Sequence, residues 1–175
     1  ECYQQAVTSG REIGGRRGEG SHVWKLGLAY SALGCIAEAV AYHEQALTIA
    51  REIGDRRGEG NPLGNLGNAY SALGRIAEAL DCYEQALTIA REIGDRRGEG
   101  SHLGNLGLAY SALGCIAEAI AYHEQALTIA REIGDRRGEG IRLGNLGNAY
   151  SALGRSAEAL DCYEQALTIA RETGG

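Results

Sequence analysis

Five cysteines and four histidines are the residues of this chain best able to do covalent or metal chemistry. Cys2, Cys35, Cys82, Cys115 and Cys162 are odd in number and never in CxxC spacing, which argues against a disulfide framework or a zinc site. Reduced thiols in a cytoplasm are the simplest reading. His43 and His123 stand where other copies of the same segment carry Tyr83 and Tyr163, and His22 and His102 are expected near exposed helix starts. No serine or cysteine has a neighbouring base and orienting acid. The run from Gly58 to Gly64 is neither GxGxxG nor a P-loop, since no Lys-Ser/Thr follows. The expectation is therefore no catalytic residue, no metal, no cofactor and no enzyme. The side chains that remain are amides. An asparagine offers a donor pair and an acceptor, enough to hold a peptide group by its C=O and N–H. Asn61, Asn65, Asn68, Asn105, Asn145 and Asn148 are the candidates; the plainer alternative makes them solvated residues or local caps.

Composition narrows the partner. A net charge of −6 argues against nucleic acid, which selects a basic face. No stretch approaches the ~18 apolar residues of a membrane span. Gly 27 with Pro 1 in no three-residue period excludes collagen, and 44% apolar residues argue against disorder.

The elements that must carry these residues follow from a 40-residue repeat with units 21–60, 61–100, 101–140 and 141–175, preceded by a lone helix 1–13. An 80-residue period lies beneath it, with AYHEQ at Ala41 and Ala121 alternating with DCYEQ at Asp81 and Asp161. Each unit reads as two helices. Ile76, Ala79, Leu80, Tyr83, Ala86, Leu87, Ala90 and Ile93 recur at helical spacing in the second, and Leu63, Leu66, Tyr70 and Leu73 form one face of the first. Gly74 and Gly94 end helices, and Asp95 caps the next start. The first helix begins near Arg56, bending at Pro62, or near Asn61 if Asn-Pro is its cap. Gly67 is expected to let the paired helix approach beside Ala79 and Ala86. The Arg56-Arg57 pair, balanced by Asp55 and Glu59, reads as a solvated edge.

Leu66-Gly67-Asn68-Ala69-Tyr70, then Leu73-Gly74, Ala79, Tyr83 and Ala86, resembles the tetratricopeptide repeat signature in all four units. The longer unit and the Arg91 in place of a terminal proline resemble the subclass of Pins/LGN-type adaptors, kinesin light chains and bacterial arrays. The resemblance implies an all-α, right-handed superhelical solenoid of antiparallel helix pairs whose first helices line a concave, peptide-binding groove. The buried face of each first helix leaves an opposite stripe free: Trp24, Lys25 and Leu28, then Asn61, Gly64, Asn65 and Asn68, then Gly104, Asn105 and Leu108, then Gly144, Asn145 and Asn148. Glycines there would leave the groove floor open. They also stand where a clamp lysine for a C-terminal carboxylate would be, which argues against that activity. Trp24 reads equally as a ligand anchor or as cover for helix 1–13. The functional expectation is a non-catalytic scaffold binding a protein or peptide segment. The alternatives are end-to-end self-association through uncapped ends and an idealised designed array, although the irregular Cys, His and Pro substitutions favour a natural duplication.

Overall fold

The computed structural model describes the backbone of residues 2–174 and the side chains of residues 14–174. Among the described residues there is no strand. The helices are α1 (Cys2–Ala32), α2 (Ile36–Glu52), α3 (Arg56–Ala72), α4 (Ile76–Glu92), α5 (Arg96–Ala112), α6 (Ile116–Glu132), α7 (Arg136–Ala152) and α8 (Ser156–Glu172). Short links of Leu-Gly-X or Ile-Gly-Asp separate them. The glycine of each link is left-handed, as at Gly74 with φ 72°, where any Cβ would be strained. Arg75 N then donates to Tyr70 O at 2.9 Å and satisfies a carbonyl the ending helix leaves over.

Aspartate fixes the start of α3, α5 and α7. Oδ1 of Asp55, Asp95 and Asp135 accepts from the backbone N–H of Gly58, Gly98 and Gly138 at 3.0, 2.9 and 2.9 Å. This settles the start near Arg56, and α3 runs on as one α-helix through a buried Pro62. It also explains a difference from expectation. Residues 2–13 do not form a separate helix, because α1 continues to Ala32 without a break at Gly14-Gly15. Gly15 stands where the capping aspartates stand, so no carboxylate marks a new start. The side chains of residues 1–13, including Cys2 and whatever Trp24 was expected to cover there, lie outside the described residues.

The chain divides into two compact units, one ending at Ile89 and one beginning at Ala90. In the first, α2 packs against α1 and α3; in the second, α6 packs against α5 and α7, and α8 against α7. The pairing is antiparallel. The Cβ missing from Gly60 would lie 3.4 Å from Ile89, and the one missing from Gly67 would lie 2.4 Å from the Tyr83 ring. Gly67 therefore makes room for an aromatic ring, not for the alanines its spacing suggested. Leu63, Leu66, Leu103 and Leu106 are nearly inaccessible, whereas Leu73, placed on the buried face by its spacing, is 47% exposed at the helix end.

Candidate functional site

The candidate stripe lies on the first helix of each pair. In the unit ending at Ile89, Trp24 is half-buried and Lys25 and Leu28 are exposed on α1. On α3, Asn61 and Asn68 are exposed, Asn65 is half-buried and Gly64 is buried. In the other unit, Asn105 and Asn145 are half-buried, and Leu108 and Asn148 are exposed.

The alternation of Leu and Asn along this stripe has a partner on the second helix. Tyr83 Oη donates to Asn68 Oδ1 at 2.9 Å, and Tyr163 Oη to Asn148 Oδ1 at 2.8 Å. Where the stripe carries Leu28 or Leu108, the second helix carries His43 or His123, both buried. Burial holds the His43 imidazole below its ordinary pKa. Burial, with the nearby Arg142 guanidinium, lowers His123 to about 4. The amide oxygens of Asn68 and Asn148 are thus engaged within their own helix pairs. The signal was visible as covariation inside the chain, Asn with Tyr and Leu with His.

Gly104 does not leave an open floor. A Cβ there would lie 2.2 Å from Arg142 Cζ, because the Arg142 side chain reaches across from α7, its Nη2 donating to Gly100 O at 3.4 Å. Burial holds Arg142 below its ordinary value, against the favourable field of Asp135. His102 is half-buried inside α5, not exposed, and burial lowers its pKa as well. Gly144 has nothing within 4 Å of a built Cβ. Beside Trp24, a cavity of about 160 Å³ opens between α1, α2 and α3, bounded by Gly20, Ile49, Asp55 and Pro62 among others.

Two further features were not anticipated. A channel of about 580 Å³ runs over α3 between α2 and α4, lined by Leu47, Thr48, Ala77, Asp81 and Cys82. Tyr70 Oη donates to Glu44 Oε1 at 3.0 Å, and Arg51 Nη2 to Gln85 Oε1 at 3.0 Å, both among residues that line it. Burial beside Asp81 pushes the Cys82 thiol up to about 11, leaving it unreactive at neutral pH.

The other feature is a set of buried carboxylates. Glu59, Glu99 and Glu139 are each less than a tenth exposed. Glu99 accepts from Arg91 Nε at 2.9 Å and Arg96 Nη1 at 2.5 Å, and Arg96 also pairs with Glu132. Burial raises the Glu99 carboxyl, but the two arginine hydrogen bonds outweigh it and hold it below the usual carboxylate range. The arginine edge is therefore partly structural, not merely solvated. Among the described residues, no three metal-ligating side chains converge, and no helix is long and apolar enough to cross a membrane.

Comparison with known proteins gives a consistent family. A profile described as tetratricopeptide repeat matches residues 19–92 and 99–172. No curated protein matches the sequence. Among solved structures, BtubC (BKLC) from P. vanneervenii is 24% identical with a TM-score of 0.83, covering 89% of this chain and 65% of that one. A putative kinesin light chain from P. anserina with nearly identical TPR-like repeats is 26% identical with a TM-score of 0.74, covering 89% and 76%. A Rap protein complexed with competence and sporulation factor is 20% identical with a TM-score of 0.80, covering 92% of this chain and 44% of that one. The chain thus spans less than two thirds of the length of the first of these.

Proposed function

Since this chain belongs to the tetratricopeptide repeat family, we propose that it is a non-catalytic interaction scaffold that binds a peptide segment of a protein partner. Each unit presents its own first-helix stripe to such a segment. The observation that carries this reading is the apolar surface left there beside half-buried amides. Leu28 and Leu108 are 37% and 49% exposed, on the same stripe as the half-buried Asn65, Asn105 and Asn145. Exposed apolar side chains rimmed by polar groups suit a binding surface. The Rap protein above, solved as a complex with competence and sporulation factor, supports a partner-binding role for the fold. Free thiols at Cys35, Cys82, Cys115 and Cys162 are compatible with action in a reducing cytoplasm.

Peptides selected from a random display library test the site. Leu108→Asp with Asn145→Ala is expected to weaken their binding by about tenfold or more with helicity intact. Unchanged affinity, with loss instead on Ala77→Lys, would move the site to the α2–α4 channel.

A second reading, self-association, is favoured by α8. Leu160, Tyr163 and Leu167 are 61%, 38% and 50% exposed. Their counterparts on α6, Ile120, His123 and Leu127, are buried where α7 packs.

A further inference from the structure

The helix pairs α1/α2, α5/α6 and α7/α8 share one kind of seat, floored by the second helix and closed by the first helix of the next pair. Between α5, α6 and α7 it shrinks to a cavity of about 20 Å³, shut by Asp135, Gly138 and Arg142 of α7. Between α1, α2 and α3 it is about 160 Å³, with Trp24 and Pro62 at the places that Gly104 and Arg142 hold one 80-residue period later. Over α7 and α8 it is an open trough of about 660 Å³, lined by Arg137, Ile141, Leu167 and Ile169 among others.

The second unit shows what closes such a seat. Leu143 and Leu146 of α7 share one cluster with Ile120 and Leu127 of α6. The polar seam is equally regular. Arg131 Nε donates to Glu139 Oε1 at 2.9 Å and its Nη2 to Gln165 Oε1 at 3.2 Å. Arg51 likewise reaches Glu59 and Gln85. On α8 the counterparts all face outward: Leu160 and Leu167 as above, and Arg171 is exposed.

The complementary face is on α1. Leu26 is 45% exposed, whereas Leu66, Leu106 and Leu146 at the same position are at most 3% exposed. Glu19 stands where the buried Glu59, Glu99 and Glu139 stand, yet its side chain is 46% exposed and pairs with Arg16 of its own helix. Gln45, the counterpart of Gln85, is exposed on α2. The continuous α1 explains this. It runs through Gly14-Gly15 without turning back, so among the described residues no second helix lies over Leu26.

We propose that the seat on α8 takes α1 of a second copy of this chain, with Leu26 against Leu160 and Leu167, and Glu19 and Gln45 on Arg171. The contact repeats between copies the junction that α6 and α7 make within one, where each repeat lends its neighbour an apolar face. The inference rests on the self-association reading and names the surface that α8 meets. It joins unlike faces, so each bound copy keeps one further face available. Gly15 offers Arg137 no carboxylate where Arg97 has Asp135 at 3.8 Å, and the loss of so exposed a pair is a minor one.

Two blocked chains test this by sedimentation velocity, with circular dichroism to follow helicity. Leu26→Lys blocks α1, and Leu160→Lys with Leu167→Lys blocks α8, all at exposed positions. Each blocked chain alone is expected to stay monomeric. Their equimolar mixture is expected to form a one-to-one pair and nothing larger, because one live face of each kind remains. Arg171→Glu is expected to raise the concentration needed for association by about fivefold, and Glu19→Arg in the same chain to restore it. Self-association of the Leu26→Lys chain, a mixture that stays monomeric while the unaltered chain associates, or a charge reversal without rescue overturns the proposal. An unaltered chain that stays monomeric removes the self-association reading itself. Association abolished by the α8 block but indifferent to Leu26→Lys removes this inference alone and assigns the contact to two α8 faces.

Discussion

At the scale of the residue, the groove row and the packing of the helix pairs are one problem. Asn68 and Asn148 carry amides because the tyrosine of the next helix needs an acceptor. Tyr83 is 3% exposed, and a buried hydroxyl left unpaired costs about 1–3 kcal/mol. Histidine at the same position carries a different liability. His123 titrates near 6.5 when unfolded and at about 4 when folded, so the unfolded chain binds more protons between these values. Its stabilising contribution is full above pH ~6.5 and is lost as pH falls towards 4, by on the order of 3 kcal/mol. His123→Tyr with Leu108→Asn, which copies the Tyr83–Asn68 pair, is expected to abolish that part of the acid sensitivity in urea unfolding at pH 7 and 4.5. His123→Tyr alone should be less stable than the double variant at pH 7. An equal acid loss in the double variant would contradict the assignment. Local spacing announces an aromatic slot here, whereas its hydrogen bond is legible only in the pairing of Asn with Tyr between two helices.

At the scale of the element, the caps and turns were largely legible and the inter-helix fillings were not. Gly94 and Asp95 announce an end and a start by their own backbone and side-chain chemistry, which is local. That Arg142 would lie over Gly104 follows only once α5 and α7 are neighbours, so the floor expected open there is filled, whereas Gly144 has nothing within 4 Å of a built Cβ. The 80-residue period has a packing basis of the same kind. Tyr30 stacks on Tyr42 with centroids 5.1 Å apart, whereas Tyr70, facing Cys82 in place of a tyrosine, stacks with Arg75 instead. If Trp24/Pro62 and Gly104/Arg142 are alternative fillings of one site, Trp24→Gly should be destabilising and Pro62→Arg should relieve it. A double-mutant cycle followed by thermal unfolding is expected to give a favourable coupling of about 0.5–3 kcal/mol. Additive effects would mean that the two sites do not share a packing problem.

At the scale of the whole molecule, the all-helical repeat was readable from periodicity, and the junction near residue 15 was not, because it depends on one missing carboxylate. The apolar face of α8 makes self-association measurable. Light scattering over a range of concentrations is expected to report growth in mass that Leu160→Lys with Leu167→Lys removes; a constant monomer mass would eliminate that reading. The Asn–Tyr pairing has a consequence of another kind, for how such a chain can lengthen. The two partners stand 15 residues apart, on either side of the Ser-Ala-Leu-Gly turn that every repeat shares. A recombination crossover inside that interval between unlike repeats would join Leu to Tyr and orphan a hydroxyl, or join Asn to His. Crossovers between repeats of the same kind, two repeats apart, never separate matched partners. Side-chain packing thereby acts as a filter on duplication, passing growth by pairs of repeats at every breakpoint and growth by single repeats only at some.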